Sequence, residues 1–301
     1  MGAFTAFGQQ IVNGVAMGSL YALLASSVAV VFGVAKIPDF SMGQRAMLGA
    51  YIVYFTTTWL HLDYWIGLIL GAFILFGFGL LTGRLVFWPL RGQAVNGFIG
   101  ALGVGVAMEA AALLLWSFTY RSIPTPSYFR SVIALPGHVR VTGQVIIVFG
   151  VALVVSLLLA FFFQRTALGR SIRAVAGNEL GARLSGVDIQ RVVLIAMGLG
   201  SAVAAIAGGL GGLVLLVYPQ MGDQLILVAF AAVIAGGFGD VRTALIAGFI
   251  LGLAESLGSV FISSAFQTAY PFAIVIVILL LRPTGLLGRR RVVGQRLSHE
   301  L

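Results

Sequence analysis

Apolar positions in this chain come in long blocks. Nine hydrophobic segments stand out, at about 9–33, 45–60, 64–83, 96–118, 144–163, 192–217, 225–238, 242–262 and 267–281. A helix rises 1.5 Å per residue, so about 20 apolar residues cross the hydrocarbon core of a bilayer. The second and seventh segments are short. The seventh, "LILVAFAAVIAGGFG", reads as a partial or re-entrant helix. A membrane barrel needs alternating segments of about ten residues, and runs such as "VIIVFGVALVVSLLLAFFF" show no alternation. The pattern therefore predicts an all-α fold, a polytopic transmembrane helix bundle forming one domain over residues 1–301.

Composition agrees. The chain is 60% hydrophobic and 9% charged, with a mean hydropathy of +1.07, where soluble domains carry about 25% charged residues. Cysteine is absent, which excludes disulfides, thiol chemistry and Cys-bound metal. His61, His138 and His299 stand singly, without metal-ligand spacing. The opening "MGAFTAFGQQ" has no basic residue and no cleavage-like site, so no removable signal peptide is read.

The net charge of +9 sets orientation instead of indicating nucleic acid. With the N-terminus outside, the outer loops near 61–64, 119–143 and 218–224 hold only Arg121, Arg130 and Arg140. The other 15 of the 18 basic residues fall inside, with Lys36 and Arg45 assigned to an inner turn. Residues 164–191 and the tail 282–301 are then cytoplasmic.

Two stretches echo one another. "AMGSLYALLASSVAVVFGVAKIPD" begins at Ala16 and "AMGLGSAVAAIAGGLGGLVLLVYPQ" at Ala196. Each opens with Ala-Met-Gly and ends at a proline, Pro38 or Pro219, before a Met-Gly pair. The two copies run in opposite directions, the plan of an inverted repeat. Helix breaks at matching places in two halves point to a transport site. The breaks are "KIPDFSMGQ", with Asp39, Phe40, Met42 and Gln44, and "YPQMGDQ".

The 40 glycines cluster inside the segments and allow close helix packing, for which lipid offers no hydrophobic drive. Glu109 and Glu255 lie within spans and should face the interior or a water-filled cavity. No basic residue is read at comparable depth, so a charge relay has little support.

One polar stretch remains, "TALGRSIRAVAGNELGARLSGVDIQR" from Thr166 to Arg191. It exceeds an ordinary helix–helix turn. Asn178 can cap a short helix running to about Ser185, which Gly186 ends, leaving Arg173, Glu179 and Arg183 available to a partner.

This stretch, with "VVLIAMGLGSAVAAIAGGL" after it, resembles the central region of branched-chain amino acid ABC-importer permeases. "AVIAGGFGDVRTALIAGFILGLAES" and "LLLRPTGLLGRR" resemble the same family's C-terminal half. The first half is similar through "NGVAMGSLYALLASSVAVVFGV" and "DFSMGQRAMLGAY". The resemblance implies a permease subunit paired with a second permease, identical or paralogous. It also implies two ATPase subunits that bind ATP and Mg, an extracytoplasmic solute-binding protein, a bacterial inner-membrane location, and no cofactor or metal in this chain. It places Arg173, Gly177, Asn178, Glu179, Ala182, Arg183 and Gly186 in the ATPase groove as a coupling helix. The chain has no Gly-x-x-x-x-Gly-Lys-[Ser/Thr] phosphate loop. Where the family often reads Asn-Phe-Ala-His-Gly, this chain reads Asp39-Phe40-Ser41-Met42-Gly43. That departure leaves urea, amides, sugars and aromatic or other organic acids open as substrates, and makes Asp39 a candidate selector whose change to Asn alters solute preference more than assembly. A secondary transporter or channel is the competing class. An intramembrane enzyme lacks a nucleophile–base pair.

Overall fold

Four helix starts in this chain are set by aspartates. Of its five, four accept a backbone N–H two or three residues on: Asp39 from Ser41, Asp63 from Trp65, Asp188 from Arg191 and Asp240 from Arg242. Each thereby satisfies a donor that the first helical turn leaves orphaned. The fifth, Asp223, has no such role.

The computed structural model describes residues 2–126, 129, 131–135, 139–237, 240–282 and 285. Arg130, His138, His299 and nearly all of the 282–301 tail lie outside the described residues. Among the described residues eleven α-helices occur in order: α1 (Gly2–Ala35), α2 (Ser41–Thr58), α3 (Tyr64–Thr82), α4 (Ala94–Trp116), α5 (Gly143–Arg165), α6 (Ala167–Gly177), α7 (Glu179–Leu184), α8 (Ile189–Val214), α9 (Met221–Gly236), α10 (Val241–Phe261) and α11 (Tyr270–Leu281). A π-helical turn, Gly83–Phe87, prolongs α3, and a 3-10 turn, Ser264–Ala269, leads into α11. The strands β1 (Val132–Leu135) and β2 (Val139–Thr142) form one antiparallel hairpin before α5, which the all-α reading did not include.

Among the described residues, seven helical stretches are long and apolar enough to cross a membrane. The two short segments of the sequence pattern are α2 and α9, which are mostly buried. The faces of α4, α5 and α11 expose Leu114, Leu157, Phe161 and Leu280, as helices bathed in lipid do.

The halves pack as an inverted repeat. α1 lies antiparallel to α8: Gly200 sits beside Val31, and Gly211, eleven residues on, beside Leu20. α1 also packs on α10 as α8 packs on α3, α1 touches α9 as α8 touches α2, and α2–α4 contacts have their counterpart in α9–α11. The match extends to residues. Gly18 lies against Phe249 and Gly252, and Gly198 against Phe76 and Gly79, so a Phe-x-x-Gly step on the third helix of each half receives the first helix of the other. Small residues make this possible, since backbones come close enough for dispersion contact only where a Cβ is missing.

Candidate functional site

Both proline-terminated breaks lead to the centre of the bundle. α2 and α9 start there and cross at their first turns. A Cβ on Gly43 would overlap the Gly222 carbonyl, and one on Gly222 would press on Gly43. Counting from the Met-Gly pairs, the next residues are Gln44 and Asp223. They too meet, Gln44 Nε2 donating to Asp223 Oδ1 at 2.6 Å. Equivalent residues of the two halves thus face each other across the pseudo-twofold axis.

Beside this crossing is a recess of about 240 Å³, lined among others by Phe40, Gln44, Leu102, Val106, Glu109 and Asp223. Phe40 is fixed by stacking on Phe230, with ring centroids 4.1 Å apart, and by an edge contact with Phe98. Glu109 lines the same recess as Asp223. Three sequence-predicted residues, Phe40, Gln44 and Glu109, are therefore brought together, joined by Asp223, which the sequence reading did not single out. The signal was present: Asp223 follows Met221-Gly222 as Gln44 follows Met42-Gly43. The recess borders the exposed Leu102, Val106 and Leu227. A carboxylate pair opening onto lipid would be very costly, so this face of α4 and α9 belongs to water or to another protein surface.

Asp39 and Met42 do not line the recess. Both are buried, and Asp39 Oδ2 lies 3.2 Å from Arg45 Nη2 with the two side chains 1% and 0% exposed. Ser41 donates its N–H and hydroxyl to the other oxygen, Asp39 Oδ1. Arg45 also donates to Ser201 Oγ of α8 (2.7 Å) and Thr82 Oγ1 of α3 (3.2 Å), with the rings of Phe78 and Phe87 6.0 Å from its guanidinium carbon. This corrects the assignment of Arg45 to a cytoplasmic turn and the expectation that no basic residue lies deep in the spans. Removing it from the inner tally leaves 14 basic residues against three, so the charge bias stands.

Glu255 is elsewhere. It lines a separate pocket of about 250 Å³ with Gln10, Asn13, Ser256, Ser259 and Gln267, between α1, α10 and the 3-10 turn. Gln267 Nε2 donates to its Oε1 at 3.1 Å, and Oε2 has no hydrogen-bond partner. It is buried, as expected of an acid within a span.

The polar stretch forms two helices where one was read. Thr166 caps α6, accepting from Gly169 N–H, and Asn178 caps α7, accepting from Gly181 N–H at 3.0 Å. At the other end Gly186 takes φ +80°. Its N–H reaches Arg183 O, and Val187 N–H reaches Ala182 O. These two bonds close the helix as a Schellman motif does. Glu179 pairs with Arg91 of the α3–α4 turn (3.1 Å) and with Arg183 (3.8 Å). Burial pushes the Arg91 guanidinium below its ordinary pKa, and Glu179 opposes that shift. Ala182 is buried against the bundle, whereas Arg173, Gly177, Asn178, Arg183 and Gly186 are exposed. Leu180 and Leu184 are 68% and 80% exposed on the same short helix.

An inverted-repeat bundle with a polar recess at its crossed half-helices, and a braced helix outside the membrane segments, defines a multispanning membrane transport subunit. The comparisons make the class specific: the family model described as branched-chain amino acid transport system, permease component, matches residues 10–281, and the chain belongs to that family. It is 31% identical to the high-affinity branched-chain amino acid transport system permease protein BraD of Pseudomonas aeruginosa, over 94% of this chain and 96% of that one. It is 30% identical to the corresponding permease LivH of Escherichia coli, over 96% and 98%. The xylose transport system permease XylH of Escherichia coli is 29% identical, over 60% of this chain and 44% of that protein.

Proposed function

We propose that the chain is the membrane-spanning subunit of a binding-protein-dependent importer for branched-chain amino acids or a closely related small solute. It pairs with a second permease copy or paralogue, and the path runs along the face of α4 and α9 that bears the recess. ATP and Mg are bound on two partner ATPase subunits, a solute-binding protein docks on the outer side, and this chain does no phosphoryl chemistry itself. The N-terminus lies outside, and the α6–α7 segment lies in the cytoplasm.

The observation that carries this reading is α7. A six-residue helix has little stability of its own, yet α7 is capped at both ends and tied by Glu179 to Arg91. It presents Leu180, Leu184 and Arg183 outward. A braced helix with exposed leucines suits docking into a partner and passing that partner's displacement to the α3–α4 turn. A carrier driven by an ion gradient has no use for such a helix.

The test is uptake into proteoliposomes of the assembled transporter with its ATPases and binding protein. Radiolabelled leucine, isoleucine or valine should accumulate only with ATP inside the ATPase compartment. The double variant Arg173→Glu/Arg183→Glu should insert normally but lose solute-stimulated ATPase activity and most uptake. Uptake driven by an ion gradient without ATP, or unchanged transport in the double variant, would sink the assignment.

A further inference from the structure

The recess beside the α2–α9 crossing is one-sided in its chemistry. Glu109 and Asp223 line it together, and among the described residues neither forms an ion pair with a basic side chain. Two carboxylates sharing a recess repel unless a proton or another cation lies between them. Asp223 receives one amide, Gln44 Nε2 at 2.6 Å. The oxygen of that amide, Gln44 Oε1, is buried and has no hydrogen-bond partner. Gln44, which lines the recess, is only 3% exposed, so solvent does not relieve it. The side-chain oxygens that line the recess, those of the two acids and Gln44 Oε1, can accept from a cationic donor that takes the place of a shared proton. A ligand completing them must bring several N–H donors and a positive charge, and a primary ammonium brings both. The remaining wall, formed by Phe40, Leu102, Val106, Ile226 and Leu227, is aliphatic and aromatic.

We propose that Glu109 and Asp223 hold the ammonium group of the transported solute, with its aliphatic part against Phe40, Leu102 and Val106. This rests on the reading of the recess as part of the transport path and narrows it: the solute is a protonated primary amine with an aliphatic side chain. Sugars and neutral amides bring no charge to the carboxylate pair, and an organic acid lacking an amine is repelled by it. The departure at residues 39–43 does not signal such a substrate, because Asp39 is directed at Arg45 and not at the recess.

The experiment uses the assembled transporter in nanodiscs, without nucleotide or binding protein, and follows thermal stability by tryptophan fluorescence. Three probes share one carbon skeleton: leucine, 3-methylbutylamine, which lacks the carboxylate, and 4-methylpentanoate, which lacks the ammonium. Leucine and the amine should stabilise the protein saturably, and the acid should not. Glu109→Gln/Asp223→Asn should weaken both by about ten- to a hundredfold, as the loss of charge-assisted bonds requires. Leu102→Trp, which fills the recess and leaves both acids in place, should also abolish the response and guards against misfolding of the acid variants. Binding of the acid as tight as that of the amine would overturn the proposal. So would an unchanged response in the acid double variant, no amine response at tens of millimolar, or saturation by Na⁺ or K⁺ at matched ionic strength. If amine binding holds while ATP-driven uptake fails, the importer reading falls and the ammonium site stands. If uptake holds and is indifferent to Glu109 and Asp223, only the ammonium site falls.

Discussion

Replacing Arg45 by Met removes a cation that joins four parts of the bundle. The side chain sits on α2, pairs with Asp39 in the break after α1, and donates to Thr82 on α3 and Ser201 on α8. The two hydroxyls would not be stranded. Ser201 Oγ donates to Met197 O at 2.6 Å and Thr82 Oγ1 to Phe78 O at 3.0 Å, so each keeps its own helical bond. Asp39 would be stranded. It is 1% exposed, and apart from Arg45 its carboxylate is bonded only through Oδ1, by Ser41. Breaking a buried pair in this way costs roughly 3–5 kcal/mol, a loss of about 150-fold or more in the folded-to-unfolded ratio. Removing both charges, with Asp39→Asn keeping an acceptor for the Ser41 N–H, leaves no uncompensated ion, and such replacements are often close to neutral. Tryptophan-fluorescence melts of the purified chain should therefore fall by about 6 °C or more for Arg45→Met and recover most of that loss in Asp39→Asn/Arg45→Met. Asp39→Asn alone should impair assembly more than solute preference, the reverse of the order expected from sequence. A wild-type melt for Arg45→Met, or a double variant no better than the single ones, would refute the reasoning.

Two further outcomes follow from the packing and from α7. Gly208→Ala places a methyl group on the Ala46 carbonyl at the α2–α8 contact and should cost about 3 kcal/mol, whereas Gly103→Ala meets open space and should be neutral or slightly stabilising; folded yield and melting temperature separate the two. Arg91→Gln removes one partner of Glu179 where the two side chains are 15% and 33% exposed and Arg183 still faces the acid, so stability should fall by about 1 kcal/mol, while ATP-driven uptake in proteoliposomes should drop severalfold if α7 passes force through that pair.

The segments were readable because period and length are local properties. All nine hydrophobic blocks correspond to helices, and the two marked as short are α2 and α9. The caps of α7 were equally local, with Asn178 and Gly186 chosen by their backbone chemistry alone. Arg45 was misplaced because its position is decided elsewhere. It begins an apolar block and so looks like a loop residue, but its partners Ser201 and Thr82 are 156 and 37 residues away. α6 escaped notice although Leu168, Ile172 and Val175 recur at helical spacing, because Arg170 and Arg173 lie between them and Thr166 was not read as a cap. The Phe-x-x-Gly steps at 76–79 and 249–252 went unseen for a similar reason. Each is unremarkable alone, and they become a pair only once Gly18 and Gly198 are seen to dock on them.

The pseudo-twofold axis also makes its departures from symmetry informative. Met42-Gly43-Gln44-Arg45 and Met221-Gly222-Asp223-Gln224 begin equivalent half-helices. The glycines must match, because either Cβ would collide across the axis. The next position differs in charge, and the two residues use the difference to bond each other. At the fourth position, Arg45 is fully buried and anchors α2 to α3 and α8, while Gln224 is exposed. Displacing the first turn of α2 would expose or strand a buried charge, and displacing the first turn of α9 would not. The crossing is thus energetically lopsided. One half-helix is fastened to the scaffold, and the other carries the carboxylate of Asp223, without a cationic partner among the described residues, at the edge of the recess, where a solute's charge would act on it.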